Sequence, residues 1–154
     1  EQLGQSKLSV LMDSVDEWGL RGHALAKAPT VVGAPTAPGE LSVPAAVYTA
    51  GLRADVLVSD PLASRGAYPK VFVASGKGTA AHQPSGRVVH LPYTDLLNAD
   101  GTPRPAKDLW ARIGAAGVPR HAELVFFADD AAEAAVNYFV FKLMGWPDIK
   151  VWLN

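Results

Sequence analysis

Apolar residues in this chain recur in two rhythms. From Lys7 to Gly19 they fall at Leu8, Leu11, Met12, Val15 and Trp18, the spacing of one helix face, with Gly19 as a stop. Farther on they gather into short runs of strand length at Asp55–Asp60, Val71–Ala74, Val88–Leu91, Leu124–Phe127 and Ile149–Leu153. Pro44 can open a short helix through Ala50, and another short helix is expected near Tyr93–Leu97, before a turn at Asn98–Gly101. A helix over Ala106–Ala115 should end before Gly117. The last helix, Ala131–Met144, is apolar on most faces and closed by Gly145 with Pro147 beyond, so it should be largely buried. Pro29, Pro35, Pro38 and Pro44 with Gly33 and Gly39 mark Ala28–Pro44 as a connector. Strands alternating with helices predict an α/β fold, a mostly parallel sheet with helices on both faces, over residues 41–154. Residues 1–40 then form an N-terminal extension of amphipathic helix and connector.

Composition narrows the chemistry. The 154 residues suit one domain with a short extension. The 14 basic residues stand against 15 acidic ones for a net charge of -1, without the basic cluster that tracks phosphates, so nucleic acid is not an expected partner. No apolar run reaches the roughly 18–20 residues that span a bilayer. With no cysteine, the chain has no disulfide, thiolate metal site or cysteine nucleophile. His23, His82, His90 and His121 are scattered, without an i, i+4 pair or an H-E-x-x-H, so no metal is expected. Ser75-Gly76-Lys77-Gly78-Thr79 departs from a phosphate-binding loop, with Val71 where that motif needs glycine and Gly78 where it needs Ser or Thr. It reads as a turn, and no cofactor is expected. A chain that begins at Glu1 resembles a mature exported protein, so a periplasmic or secreted location is the expectation and a cytoplasmic one the alternative.

Three stretches carry a resemblance. Glu123-Leu124-Val125-Phe126-Phe127-Ala128-Asp129-Asp130-Ala131-Ala132-Glu133-Ala134-Ala135 reads as strand, tight loop and helix start. His82-Gln83-Pro84 through Pro92 forms a second stretch, and Leu143-Met144-Gly145-Trp146-Pro147 leading into Ile149-Lys150-Val151 a third. Together they resemble the rhodanese-like sulfurtransferases over about Leu41 to Asn154. In that family a strand ends in a cysteine, a six-residue loop wraps an anion, and an alanine-rich helix follows. The resemblance puts Ala128 at the cysteine, makes Ala128, Asp129, Asp130, Ala131, Ala132 and Glu133 a degenerate active-site loop, and sets Asp60 and His82 beside the pocket. Leu62 replaces the arginine usual after that aspartate, and relatives continue beyond the position of Asn154, which implies a closing edge absent or supplied by a partner.

The family's cysteine works as a thiolate carrying a sulfane sulfur, held reactive by backbone N–H groups and the positive end of the next helix. Alanine can do none of this, and Asp129, Asp130 and Glu133 would repel thiosulfate, persulfide or phosphate. Asp130 and Glu133 also have the spacing of a capping box, each carboxylate stabilising the helix start by ~0.3–1 kcal/mol. A divalent cation on Asp129 and Asp130 would lack the dense oxygen-ligand loop such sites use. The expected function is therefore a non-catalytic binding or structural module, an accessory subunit of a larger, exported complex. Its partner-binding face would be Leu8, Leu11, Val15 and Trp18, docked on its own domain or in a groove of another subunit. The alternative is a sulfur-metabolism protein that binds a small sulfur compound or a sulfur-carrying partner. That reading requires a concave pocket above Ala128 with donors pointing inward.

Overall fold

The computed structural model describes residues 9–11, 15–27, 55–62 and 68–153. Strands β1 (Leu57–Val58), β2 (Lys70–Ala74), β3 (Val88–His90), β4 (Glu123–Phe127) and β5 (Ile149–Trp152) form one parallel sheet in the order β1-β5-β4-β2-β3. Val73 of β2 faces Phe126 of β4, which on its other side faces Val151 of β5. The two central strands read as continuous apolar runs because both of their faces are buried. Alternation along β2, β4 and β5 sends Val71, Val73, Leu124, Phe126, Ile149 and Val151 to one face and Phe72, Ala74, Val125 and Phe127 to the other.

Helices α2 (Ala106–Ala115) and α3 (Ala131–Leu143) share the first face, through Leu109, Ile113, Ala134, Val140 and Phe141. The reason is topological. The crossovers from β3 to β4 and from β4 to β5 step the same way across the sheet, and right-handed crossovers that step the same way deliver their helices to the same side. The steps from β1 to β2 and from β2 to β3 run the opposite way. The β2–β3 connection accordingly covers the second face, where Ala80 packs and Gly86 (φ 137°) approaches so closely that a Cβ would lie 3.0 Å from the Phe72 ring. The helix expected at Pro44–Ala50, the connector, Leu8 and Met12 lie outside the described residues.

Several expectations need correction. The N-terminal helix, α1, runs only from Val15 to Leu20, and residues 9–11 are not helical. Gly19 lies inside it. The stop is Gly22 (φ 82°), where the N–H groups of Gly22 and His23 return to the carbonyls of Gly19 and Trp18 in a Schellman closure. The short helix expected near Tyr93–Leu97 is present as a 3-10 helix, Tyr93–Leu96. α3 is buried along one stripe only and carries Asn137 in it, whose Nδ2 donates to Leu91 O at 2.8 Å, whereas Ala135 and Leu143 face outward. Gly145 (φ 84°) closes α3 as expected, with Trp146 N–H returning to Phe141 O.

At the foot of the sheet, far from the loops that leave the strand ends, Glu123 is 1% exposed and holds Lys150 Nζ at 2.7 Å. Asp148 Oδ1 lies 3.1 Å from the same ammonium, and Lys70 Nζ sits 3.7 Å from Glu123 and 2.6 Å from Pro61 O. Burial works against the charge of Lys150 more than any other single effect. The hydrogen bonds and charges of Glu123 and Asp148 together outweigh it and raise its pKa above 10.5.

Candidate functional site at the ends of β2 and β4

In open parallel sheets, ligands bind beyond the carboxyl ends of the strands, where the direction of travel across the sheet reverses. Here that point lies between β2 and β4, and the residues leaving those strands are Ser75-Gly76 and Ala128-Asp129-Asp130. Ser75 is fully buried: its N–H donates to Phe127 O at 2.9 Å, its carbonyl accepts from Tyr93 N–H at 2.8 Å, and its hydroxyl turns back to Val73 O at 3.3 Å. His90 Nε2 meets Gly76 O at 3.1 Å, and the Lys77 ammonium lies 5.7 Å from the Tyr93 ring centroid.

Carboxylates border the crevice. The Ala128 side chain is inaccessible, at 1% exposure. Glu133 extends from the first turn of α3 over Gly76, so that a Cβ on Gly76 would stand 3.0 Å from its Oε2 and 3.8 Å from the Ala128 Cβ. Asp129 Oδ1 accepts from Ala81 N–H at 2.9 Å, which ties the connection after β2 to the end of β4. Asp130 is the N-cap of α3, its Oδ1 accepting from Ala132 N–H at 2.8 Å while its carbonyl takes the Glu133 N–H. The six-residue loop implied by the resemblance is thus three residues long. Ala131, Ala132 and Glu133 form the first turn of α3 because Asp130 satisfies the helix start, and of the capping-box pair only Asp130 serves the cap, since Glu133 reaches across to Gly76.

His82 is exposed and lines an open groove of about 600 Å³ with Ser59, Ala81, Gln83, Trp152 and Leu153. The Trp152 indole donates to Ser59 O at 3.1 Å. Asp60 is exposed just after β1 and closes its own turn, Oδ1 accepting from Leu62 N–H at 2.9 Å. Leu11 lines a separate groove against α3, Val15 is exposed, and Trp18 stacks on His23 at 4.1 Å, so these three are not part of the crevice. The sequence reading missed Ser75, the Glu133–Gly76 closure and the Glu123–Lys150 pair. For the last, a charge inside each of the apolar runs Glu123–Phe127 and Ile149–Trp152 was the available signal. Among the described residues, no group of three His, Asp or Glu side chains is placed to hold a metal ion, and no helix is long and apolar enough to cross a membrane.

No protein-family model and no curated protein sequence matches this chain. Solved structures do. EanB, captured with a cysteine persulfide in a tetrahedral intermediate state with ergothioneine, superposes with a TM-score of 0.60 at 20% identity, over 90% of this chain and 36% of that one. SseA from Escherichia coli, described for the rhodanese fold and mechanism of 3-mercaptopyruvate sulfotransferases, superposes with a TM-score of 0.54 at 16% identity, over 68% of this chain and 42% of that one. The chain has the rhodanese fold. It spans less than half the length of either of these chains. Within that fold the residue following β4 is Ala128, in a sequence that contains no cysteine at any position.

Proposed function

We propose that this rhodanese-fold domain is a non-catalytic binding module, an accessory subunit that acts through a protein partner. One observation carries the reading: the position that would present a nucleophile is a methyl group at 1% exposure, packed into the apolar core. The state captured in EanB holds a cysteine persulfide, and this chain has no cysteine to form one. The alternative, a protein that binds a small sulfur compound while the chemistry happens elsewhere, needs an open pocket above Ala128 with inward donors. The buried methyl of Ala128 favours the first reading.

Native mass spectrometry of the protein purified gently from its source tests the proposal. A stoichiometric partner of different mass supports it. A protein that travels without any other subunit, together with measurable thiosulfate:cyanide sulfur transfer, overturns it.

A further inference from the structure

Helix α2 carries cations that the fold does not balance. Arg104 and Arg112 line one open groove of about 390 Å³ with Asp108, Ala111 and Ala115. Arg104 Nε is held by the Asp95 carbonyl at 3.0 Å, and the exposed Arg112 side chain makes no hydrogen bond or ion pair among the described residues. Lys107 is exposed on the same helix, and Arg87 reaches the end of the helix to donate to Gly117 O at 3.0 Å. The Arg120 guanidinium lies 4.8 Å from the ring centroid of Trp110, which is 39% exposed. None of these five cations pairs with a carboxylate among the described residues, whereas Lys70 and Lys150 at the foot of the sheet both do. Asp108 is the one acidic residue of the helix. In a chain of net charge -1, the excess is local to this face.

We propose that this face docks an acidic segment of a protein partner, seated by Arg104 and Arg112 and flanked by Trp110. The proposal rests on the binding-module reading and deepens it by naming the surface and the chemistry of the partner. The helix macrodipole does not account for the cations, because Arg104 and Lys107 stand at the N-terminal end of α2, where positive charge is unfavourable. Nor does the chain have an acidic segment of its own to cover them. Outside the described residues its acids are Glu1, Asp13 and Glu40, isolated in sequence and matched by Lys7, Arg53 and Arg65. A peptide suits the groove better than a nucleic acid does. Asp108 would meet only acceptor oxygens on a phosphate backbone, whereas a peptide brings N–H donors for it alongside carboxylates for the guanidinia. Exposed Trp and Arg side chains are also the types that most often anchor protein interfaces.

Fluorescence anisotropy of a labelled peptide of Glu, Leu and Gly, titrated with the whole chain at low and at physiological salt, reads the outcome. The Kd should be on the order of 10–100 µM and should weaken with salt. Arg112→Glu, at an exposed side chain that the fold does not use, should weaken binding at least about tenfold, and Lys107→Glu about threefold. Lys27→Glu makes the same change in net charge on the N-terminal arm and should leave the affinity within about twofold. No binding, or equal losses from Arg112→Glu and Lys27→Glu, overturns the proposal. So does tighter binding of a single-stranded oligonucleotide of equal charge, which would make the occupant a nucleic acid. A doubling of the chain's own mass that Arg112→Glu abolishes would make the occupant a second copy and overturns it too. The partner recovered with the native protein gives an independent arm, because it should be lost from the Arg112→Glu chain. A partner retained there refutes this surface and leaves the binding-module reading standing. A chain that travels without a partner yet binds the peptide through Arg112 upholds the surface and leaves that reading to fail alone.

Discussion

Glu133 and Gly76 define each other at the centre of the candidate site, because the carboxylate occupies the space that a side chain on residue 76 would need. Gly76→Ala should cost under about 1 kcal/mol, since the atom in the way is the far end of a flexible side chain that can swing outward. Gly86→Ala should cost about 1–3 kcal/mol, because residue 86 holds φ 137° and its Cβ would press on the buried Phe72 ring. Urea midpoints of the two variants measure the difference, and equal losses would show that Glu133 is not free to move. Ala128→Cys follows from the same geometry. The new thiol would be buried and flanked by Asp129 and Glu133, both of which disfavour a thiolate, so its pKa should lie above the usual ~8.5. Alkylation rate against pH should show that rise, with sulfur transfer staying at background. A reactive thiol at neutral pH and robust turnover would mean that the carboxylates matter little.

The elements join most tightly at the foot of the sheet, where Glu123 of β4 links to Lys150 of β5 and Lys70 of β2. Removing one partner of a buried pair leaves an uncompensated charge, so Glu123→Ala should destabilise by about 3–5 kcal/mol. The double replacement Glu123→Leu/Lys150→Met should recover most of that loss, because an apolar pair of similar volume needs no compensation. A double-mutant cycle in denaturant measures the coupling, and additive losses would show that the two side chains do not depend on each other. The central strands were legible in the sequence because strands buried on both faces are unbroken apolar runs. The start of α3 was legible too: Asp130 has the chemistry of an N-cap, and that local signal prevailed over the longer loop that the resemblance implied. The pairing of Glu123 with Lys150 was not, since strand register brings together residues far apart in sequence. Nor was the approach of Glu133 to Gly76, which exists only because β4 lies beside β2 on the side away from β3. At Leu11 the helical spacing was present, but residues 9–11 are not helical, and Val10 and Leu11 line the α3 groove.

For the whole molecule, the buried charges set an alkaline limit on stability. The pKa of Lys150 is raised above 10.5 in the folded protein, while the unfolded chain returns it to about that value. The folded state therefore holds the proton more tightly. Its contribution is complete below pH about 10.5 and declines as pH rises through the folded pKa, where the ammonium loses its proton and Glu123 is left buried without its nearest counter-charge. Denaturant midpoints should hardly change between neutral pH and pH about 9.5, then fall steeply above 10.5. The Lys150 share is isolated by comparison with the Glu123→Leu/Lys150→Met chain, whose decline should be shallower. Parallel declines in the two proteins would place the alkaline loss at other groups. Asp100 gives a smaller limit of the opposite sign. Hydrogen bonds from the Thr102 hydroxyl and N–H hold its carboxyl below 3.8, so the Asn98–Thr102 turn is favoured above that value and loosens as pH falls below it. Neither limit lies near neutral pH, so the variants at Gly76, Ala128 and Glu123 can all be compared there without either titration intervening.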